Sequence, residues 1–288
     1  MGGFPLPIFL FIFGLTIGSF LNVLSLRYEG DGNIFLGAHG RSHCPHCRQT
    51  LRWYELIPVF SFLVQGGHCR SCQQKISWQY PLVELLTGFI FLFPLHWYTP
   101  FFPHLYYILS SALWVAVLTL FVLITVVDFR LSIIPDELNL ALAGVGLALT
   151  GLAYYFHQFG LYAGSFIGGP AVLFGLRNNI WINHLFAALV ASAGLLLIIL
   201  LSKGRAMGMG DVKLFAALGL VFGWPDILFV MGFAFIIGAL WGLYLIFGRK
   251  MGMKDAVPFG PFVVLGALAL IFWGAQIIET YFRFFNII

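Results

Sequence analysis

The sequence predicts an all-α membrane protein, a polytopic helical bundle of about eight transmembrane helices with one small polar loop domain. Hydrophobic residues make up 60% of the chain and charged residues only 9%, and the mean hydropathy is +0.95. Such a composition lies far outside the soluble range. The apolar runs are long enough to cross a bilayer, whereas polar residues concentrate in one region, residues 27–80.

Each predicted span is placed by its apolar length and by the Pro, Gly or charged residues at its ends. The predicted spans are residues 4–26, 81–98, 106–127, 133–156, 180–201, 211–223, 226–247 and 258–280. The first run has no basic segment before it and no small-residue cleavage site, so we expect it to be retained. These spans predict three domains: a first helix (1–26), a loop (27–80) and a membrane domain (81–288).

Lys and Arg residues predict the orientation of the bundle. Six of them lie in residues 27–80, which places that loop in the cytoplasm by the positive-inside rule. The later Lys and Arg residues fall on the same side when eight spans are counted. Because the Lys and Arg residues lie in these loops, where they set orientation, the net charge of +4 does not indicate binding of nucleic acid. The apolar spans predict membrane lipids as partners.

Two segments fit the simple pattern poorly. Residues 160–176 are apolar but contain two glycines followed by Pro170, and counting them as a span would invert the later charges, so we expect a re-entrant or surface-lying piece. Residues 211–223 are short for a crossing, which predicts a helix shielded by its neighbours or a thinned bilayer.

All four cysteines lie in the loop, in two C-x-x-C pairs separated by 21 residues: Cys44, Cys47, Cys69 and Cys72. This spacing is typical of a structural Zn²⁺ site, in which four thiolates complete a tetrahedron. Disulfides are disfavoured in the cytoplasm, and a redox role is disfavoured because no βαβ unit accompanies the pairs. The flanking histidines His43, His46 and His68 are interpreted as solvated loop residues.

Two aspartates at the ends of apolar runs are the candidate catalytic residues. Asp211 follows a Gly-Met-Gly segment and begins a helix, so capping of that helix is the simpler interpretation for it alone. Asp128 ends another span on the same predicted side of the membrane. Two carboxyl groups a few Å apart share a proton and titrate as a unit, which is the arrangement that aspartic proteases use to hydrolyse peptides.

Other acids have easier explanations. Asp136, Glu137 and Asp226 each fall in the first turn of a predicted helix after a proline, where a carboxylate suits the helix dipole. Glu84 lies within an apolar span with no cation beside it in sequence, so a packed polar contact and a ligand-binding role both remain open.

Taken together, these motifs closely resemble the bacterial type IV prepilin peptidases. The matching segments are residues 18–23, 41–47, 51–58, 69–72, 80–88, 128, 134–136, 208–214 and 257–261. They occur in the order typical of the family and cover nearly the whole chain.

The resemblance implies that Asp128 and Asp211 are catalytic and that the four cysteines hold zinc. It also implies cleavage of the basic leader of type IV prepilins and type II secretion pseudopilins after a glycine. It further implies methylation of the new N-terminal residue from S-adenosylmethionine. Because residues 27–88 contain the only large element on the cytoplasmic side, we expect them to be needed for that step. The implied location is the bacterial cytoplasmic (inner) membrane, multi-pass, with the active site facing the cytoplasm.

Two other functions are weighed against this one. A broader presenilin-like intramembrane aspartyl protease shares a glycine-flanked aspartate but usually lacks the paired cysteine motifs. A proton-coupled transporter predicts acids near mid-span and leaves the cysteine loop unexplained.

Overall fold

The computed structural model describes residues 6–38, 40–96, 103–156, 165–168, 179–204, 207–248 and 257–285. Within them the regular secondary structure is helical, apart from two isolated antiparallel bridges in the polar loop. The helices are α1 (Leu6–Arg27), α2 (Phe60–Val64), α3 (Gln79–Ile90), α4 (Phe93–His96), α5 (His104–Leu131), α6 (Asp136–Tyr155), α7 (Ile180–Leu201), α8 (Met209–Phe222), α9 (Asp226–Phe247) and α10 (Gly260–Phe284).

The predicted all-α membrane fold is confirmed. Six of the described helices, α1, α5, α6, α7, α9 and α10, are long and apolar enough to cross a membrane. The other two predicted spans correspond in position to α3, with 12 residues, and α8, with 14. Both fall short of the roughly 20 residues that a perpendicular crossing needs, so eight is an approximate count. The re-entrant piece predicted for residues 160–176 lies outside the described residues, except for residues 165–168.

The chain divides into two compact units, residues 1–123 and 124–288. In the first unit, α1 and α3 pack antiparallel and very closely. A Cβ on Gly18 would lie 2.7 Å from the Cα of Glu84, and one on Gly14 would lie 2.7 Å from the carbonyl oxygen of Thr87. Small residues allow this approach, because two helices in a membrane gain most from close backbone packing.

In the second unit α8 is the central helix. Its residues Leu214, Phe215 and Leu218 are fully buried, and it packs against α6, α7 and α9. A Cβ on Gly219 would lie 2.4 Å from the backbone of Ala188 in α7. The prediction that neighbours shield this short helix agrees with its burial.

Helices α6 and α8 run parallel. Asp136 at the start of α6 contacts Lys213 near the start of α8, and Gly146 lies against the backbone of Val221 near its end. Both helices therefore begin at the same end of the second unit, which is also the end at which α5 finishes.

At the opposite end of α8, polar side chains fasten the turn that leads into α9. Asp226 is fully buried and accepts hydrogen bonds from the hydroxyl of Ser165 at 2.7 Å and from the N–H of Phe166 at 2.8 Å. Asn183 exchanges two hydrogen bonds of 2.9 Å with the backbone of Trp224. Asp226 lies in the first turn of α9 as predicted, and it also anchors a second segment.

Candidate active site and metal centre

Asp128 lies in the last turn of α5 and is only 4% exposed. Its Oδ2 accepts a 2.7 Å hydrogen bond from the N–H of Gly260, the first residue of α10. The first amides of a helix have no partner within the helix, so they are available to a carboxylate. The start of α10 thus fixes the position of the Asp128 carboxyl group.

Gly260 leaves no room for a side chain. A Cβ at this position would lie 2.8 Å from Oδ2 of Asp128 and 3.3 Å from its carboxyl carbon. Any other residue would push the carboxylate or the start of α10 away. The sequence resemblance included this glycine within residues 257–261 but gave it no role.

Asp211 is the third residue of α8, and its Oδ2 accepts a 3.2 Å hydrogen bond from the N–H of Gly208, the residue before the helix. This is the returning half of a capping box, in which a side chain in the first turn satisfies an amide ahead of it. The capping role that the glycine-flanked motif predicted is therefore present.

The two predicted acids lie in the same part of the second unit. The carboxyl group of Asp211 lies close enough to that of Asp128 for the charge on one to act on the other. Asp211 is half-buried, so it is more accessible to water than Asp128. Among the described residues, only one oxygen of each carboxyl group has a hydrogen-bond partner. Their catalytic role stays a prediction at this point.

An ion pair borders the carboxyl pair. Nζ of Lys213 lies 2.6 Å and 2.7 Å from the two carboxylate oxygens of Asp136, with the side chains 48% and 67% exposed. The sequence predicted only a helix-terminal role for Asp136. The parallel packing of α6 and α8 creates the pair, and no local pattern in the sequence shows it.

The four cysteine sulfurs form one cluster, all within 4.8 Å of one another, and Sγ of Cys44 lies 3.8 Å from Sγ of Cys72. Four sulfurs at about 2.3 Å from a tetrahedral Zn²⁺ would lie about 3.8 Å apart. The thiols therefore fit a tetrahedral metal ion closely, and these four residues are the ones that could hold it.

Each cysteine pair is shaped by its own short turn. In the first, the N–H of Cys44 donates to Gln49 and the N–H of Arg48 donates to Cys44. In the second, Cys69 makes the same two bonds, with Gln74 and Gln73. The two turns thus have the same backbone pattern.

Backbone amides favour a thiolate in this cluster. The N–H groups of Cys72 and Ser71 lower the pKa of the Cys69 thiol to about 7. The N–H of Gln74 acts in the same direction on Cys72, but burial and the neighbouring thiols outweigh it and raise that pKa to about 11. Several thiolates this close together need a cation to neutralise them.

The flanking histidines do not join the group that could hold a metal. Nδ1 of His43 lies 3.3 Å from the carbonyl of Arg41, and Nδ1 of His68 lies 2.7 Å from that of Gly66. They are loop residues with local backbone contacts, as the sequence suggested.

Glu84 is buried, and the structure supplies the polar contact that the sequence left open. Its Oε2 accepts a 2.7 Å hydrogen bond from the N–H of Val59, and the hydroxyl of Ser19 lies near the same carboxylate. Val59 has a φ of 62°, which is unusual for a β-branched residue. Glu84 therefore ties a strained turn of the polar loop to α3.

Two family models match the chain. Residues 12–98 match the Bacterial Peptidase A24 N-terminal domain, and residues 114–243 match the Type IV leader peptidase family. The first range lies within the unit that holds the thiol cluster. The second includes both aspartates of the carboxyl pair.

Curated relatives cover nearly the whole chain. A prepilin leader peptidase/N-methyltransferase of Aeromonas salmonicida (strain A449) is 30% identical over 94% of this chain and 92% of its own. One of Bacillus subtilis (strain 168) is 29% identical, over 95% and 97%. A type 4 prepilin-like proteins leader peptide-processing enzyme of Escherichia coli O78:H11 is 34% identical, over 93% and 94%. No solved structure matches significantly.

Proposed function

Because the chain belongs to the type IV leader peptidase family, we propose that it removes the basic leader from type IV prepilins and type II secretion pseudopilins and N-methylates the new N-terminus. It is a multi-pass membrane protein. The proposed location is the bacterial inner membrane, with the peptidase site facing the cytoplasm, where the leader of the substrate lies.

The observation that carries the peptidase proposal is the pairing of Asp128 with Asp211. A buried acid and a half-buried acid lie near one another, at the ends of two separate helices. Each is fixed by one backbone N–H on one oxygen, at 2.7 Å and 3.2 Å. The remaining oxygens of the pair are available for a shared proton and a water molecule.

Hydrolysis then follows the chemistry of a carboxyl pair. The ionised carboxylate takes a proton from water as the water oxygen bonds to the scissile carbonyl carbon, and the protonated carboxyl group gives its proton to the carbonyl oxygen. When the tetrahedral intermediate collapses, the C–N bond breaks, the leaving nitrogen receives a proton from one carboxyl group, and a hydroxyl of the intermediate returns its proton to the other carboxylate. Water enters the products and the pair returns to its starting charge.

Gly260 supports this step by position. Its N–H holds Oδ2 of Asp128 at 2.7 Å, so the carboxyl group keeps one orientation while its other oxygen reacts. Misplacement of a reacting group by about 1 Å can lower a rate about a hundredfold.

For the metal, we assign zinc to Cys44, Cys47, Cys69 and Cys72. A closed set of four thiolates leaves no open position, so the ion has a structural role and stabilises a loop too small to build its own core. We assign this loop, residues 27–80, to the methyl-transfer function and residues 81–288 to the peptidase.

S-adenosylmethionine, when bound, supplies the methyl group for the new terminal amine. The chain has no glycine-rich nucleotide-binding fingerprint, so the assignment of this donor rests on the N-methyltransferase named for the relatives. Their names favour the leader peptidase over a presenilin-like protease or a proton-coupled transporter.

The test incubates purified full-length protein with a prepilin and S-adenosylmethionine and measures the product mass. The expected product has lost the leader and gained one methyl group. Cleavage without methylation would remove the transferase half of the proposal, and an uncleaved substrate in the presence of folded enzyme would contradict the whole of it.

A further inference from the structure

One buried side chain of α6 has no hydrogen-bond partner among the residues that the structure describes. Asn139, in the first turns of α6, is 5% exposed, and among the described residues neither its Oδ1 nor its Nδ2 has a partner. Burying an amide without partners is unfavourable, because it loses its bonds to water and gains none. The contacts within the described residues do not explain why a polar group is buried here.

The other buried asparagines show that this is an exception. Asn22 donates to the carbonyl of Tyr80 and accepts from Gln79, at 3.2 Å and 3.4 Å. Asn183 makes two bonds with Trp224. In both, the donor and the acceptor of the amide are used within the protein, so the fold satisfies a buried asparagine where its role is structural.

The position of Asn139 points to the carboxyl pair. It lies three residues after Asp136, which contacts Lys213, and Lys213 lies two residues after Asp211. Because α6 and α8 run parallel and Gly146 lies against the backbone of Leu220 and Val221, Asn139 lies about 4 Å further along the bundle than Asp211. Side chains on a helix lean toward its N-terminus, so the amide points back toward the end at which the pair lies.

A second unpaired group lies in the same layer. The hydroxyl of Thr125 is buried without a partner among the described residues, one turn before Asp128 on α5. Since α5 ends where α6 begins, Thr125 lies about 4.5 Å deeper than Asp128. Thr119, the third side chain with an unpaired buried atom, lies further back along α5 and is not part of this layer.

The proposed function, on which this inference rests, supplies a ligand of matching chemistry. A prepilin has its leader outside the membrane and an apolar helix inside, so the residues after the scissile bond occupy the layer just below the carboxyl pair. For the scissile carbonyl to be attacked, this part of the helix must unwind. Its freed N–H and C=O groups then need partners in an apolar environment.

We propose that Asn139 binds the main chain of the substrate just after the scissile bond. The carbonyl oxygen and the NH₂ group of its side chain match the N–H and C=O of one peptide unit. Thr125 provides one further unpaired hydroxyl at a similar depth. Asn139 is a substrate-binding residue that forms hydrogen bonds with the unwound backbone and does not select a particular side chain.

The test measures stability and binding in the same variants. Full-length protein carrying Asp128→Asn and Asp211→Asn is reconstituted in nanodiscs, and its affinity for uncleaved prepilin is measured with and without Asn139→Leu. We expect Asn139→Leu to weaken binding about tenfold, while the melting temperature stays the same or rises because an unpaired amide is removed. Asn139→Thr, which keeps a donor and an acceptor, should recover part of the affinity.

The matched control is Asn183→Leu, the same change at a paired asparagine, which should lower the melting temperature and leave the affinity of the folded fraction unchanged. If Asn139→Leu behaves like Asn183→Leu, the amide is structural and the inference is wrong. Unchanged binding of prepilin with slower cleavage by Asn139→Leu in the otherwise wild-type enzyme would also overturn the inference. The amide would then position the attacking water instead of binding the substrate. If the enzyme with both aspartates replaced still cleaves, the carboxyl pair itself is wrong and the inference falls with it.

Discussion

The thiol cluster of the first unit and the carboxyl pair of the second are built in opposite ways. The cluster comes from two short turns with the same backbone pattern, and its four sulfurs lie within 4.8 Å of one another. The carboxyl pair joins the end of α5 to the start of α8, and an amide of α10 holds one member. Local turns close a site around an ion, whereas helix ends leave carboxylate oxygens open for a reaction.

The largest expected effect is on cleavage and tests the carboxyl pair, the open site of this comparison. Asp128→Asn or Asp211→Asn should lower cleavage at least about a thousandfold, because an amide cannot share a proton or take one from water. The double variant should be scarcely worse than either single variant, since the two act as a unit. Cleavage is measured by the mass of the pilin product.

The matching control is methylation of pilin that has already lost its leader, which should survive both changes. Near wild-type cleavage by either well-folded single variant would show that the pair is not the peptidase centre.

The next largest effect is on metal content and tests the thiol cluster, the closed site. Replacing any one of the four cysteines by serine should reduce the metal content from about one zinc per chain to nearly none, as determined by elemental analysis. Such a variant should lose methyl transfer and keep cleavage. The two sites would then be functionally separate.

His46→Ala is the control for the cysteine variants, since His46 lies between two cysteines but outside the cluster. It should retain the zinc. A cysteine variant that methylates fully would remove the loop from that reaction, and wild-type protein from reducing cells without metal would remove the zinc assignment.

A smaller effect is expected at the support of the pair. Gly260→Ala places a methyl group 2.8 Å from Oδ2 of Asp128, so the carboxylate must shift. We expect cleavage to fall roughly 10- to 100-fold with little change in metal content. The measurement is kcat/KM for a prepilin peptide.

Gly232→Ala, at a glycine of α9 with open space around its Cβ, is the control and should cleave normally. Wild-type activity in Gly260→Ala would mean that the amide of α10 does not fix the reactive position.

The smallest effect is expected at the exposed ion pair. Asp136→Asn removes the contact with Lys213, whose side chain is 48% exposed, so stability should fall by no more than about 1 kcal/mol and cleavage should remain largely intact. Thermal unfolding and the cleavage rate of Asp136→Asn and Lys213→Gln check this. A large loss of cleavage in both would extend the active centre to this pair.

The sequence predicted most of what local patterns determine. Apolar length placed the long helices, and the spacing of Cys44, Cys47, Cys69 and Cys72 predicted one cluster. The two aspartates were selected because each lies where an apolar run meets a polar loop, and the structure brings them together.

Other features depend on which helices become neighbours, and periodicity does not encode that. The amide of Gly260 reaches Asp128 across 132 residues, and Lys213 reaches Asp136 across 77. The unpaired state of Asn139 is visible only when all the groups around it are known. Two features were open to earlier detection: Gly260 between Phe259 and Pro261 marks a helix start, and Asn139 is a polar residue on an apolar stripe.

The short length of α8 has a consequence for how the substrate and solvent meet. Its 14 residues rise about 21 Å, against roughly 30 Å for the hydrocarbon layer, so a helix enclosed by its neighbours ends well inside that layer. If the shortfall falls at the end that carries Asp211, the carboxyl pair lies below the headgroups. Water would then have to enter the bundle to reach the scissile bond, and the pilin helix would be cleaved while it remains in the lipid. With the pair at that depth, we expect turnover to fall in a thicker membrane, because the path of the water would lengthen.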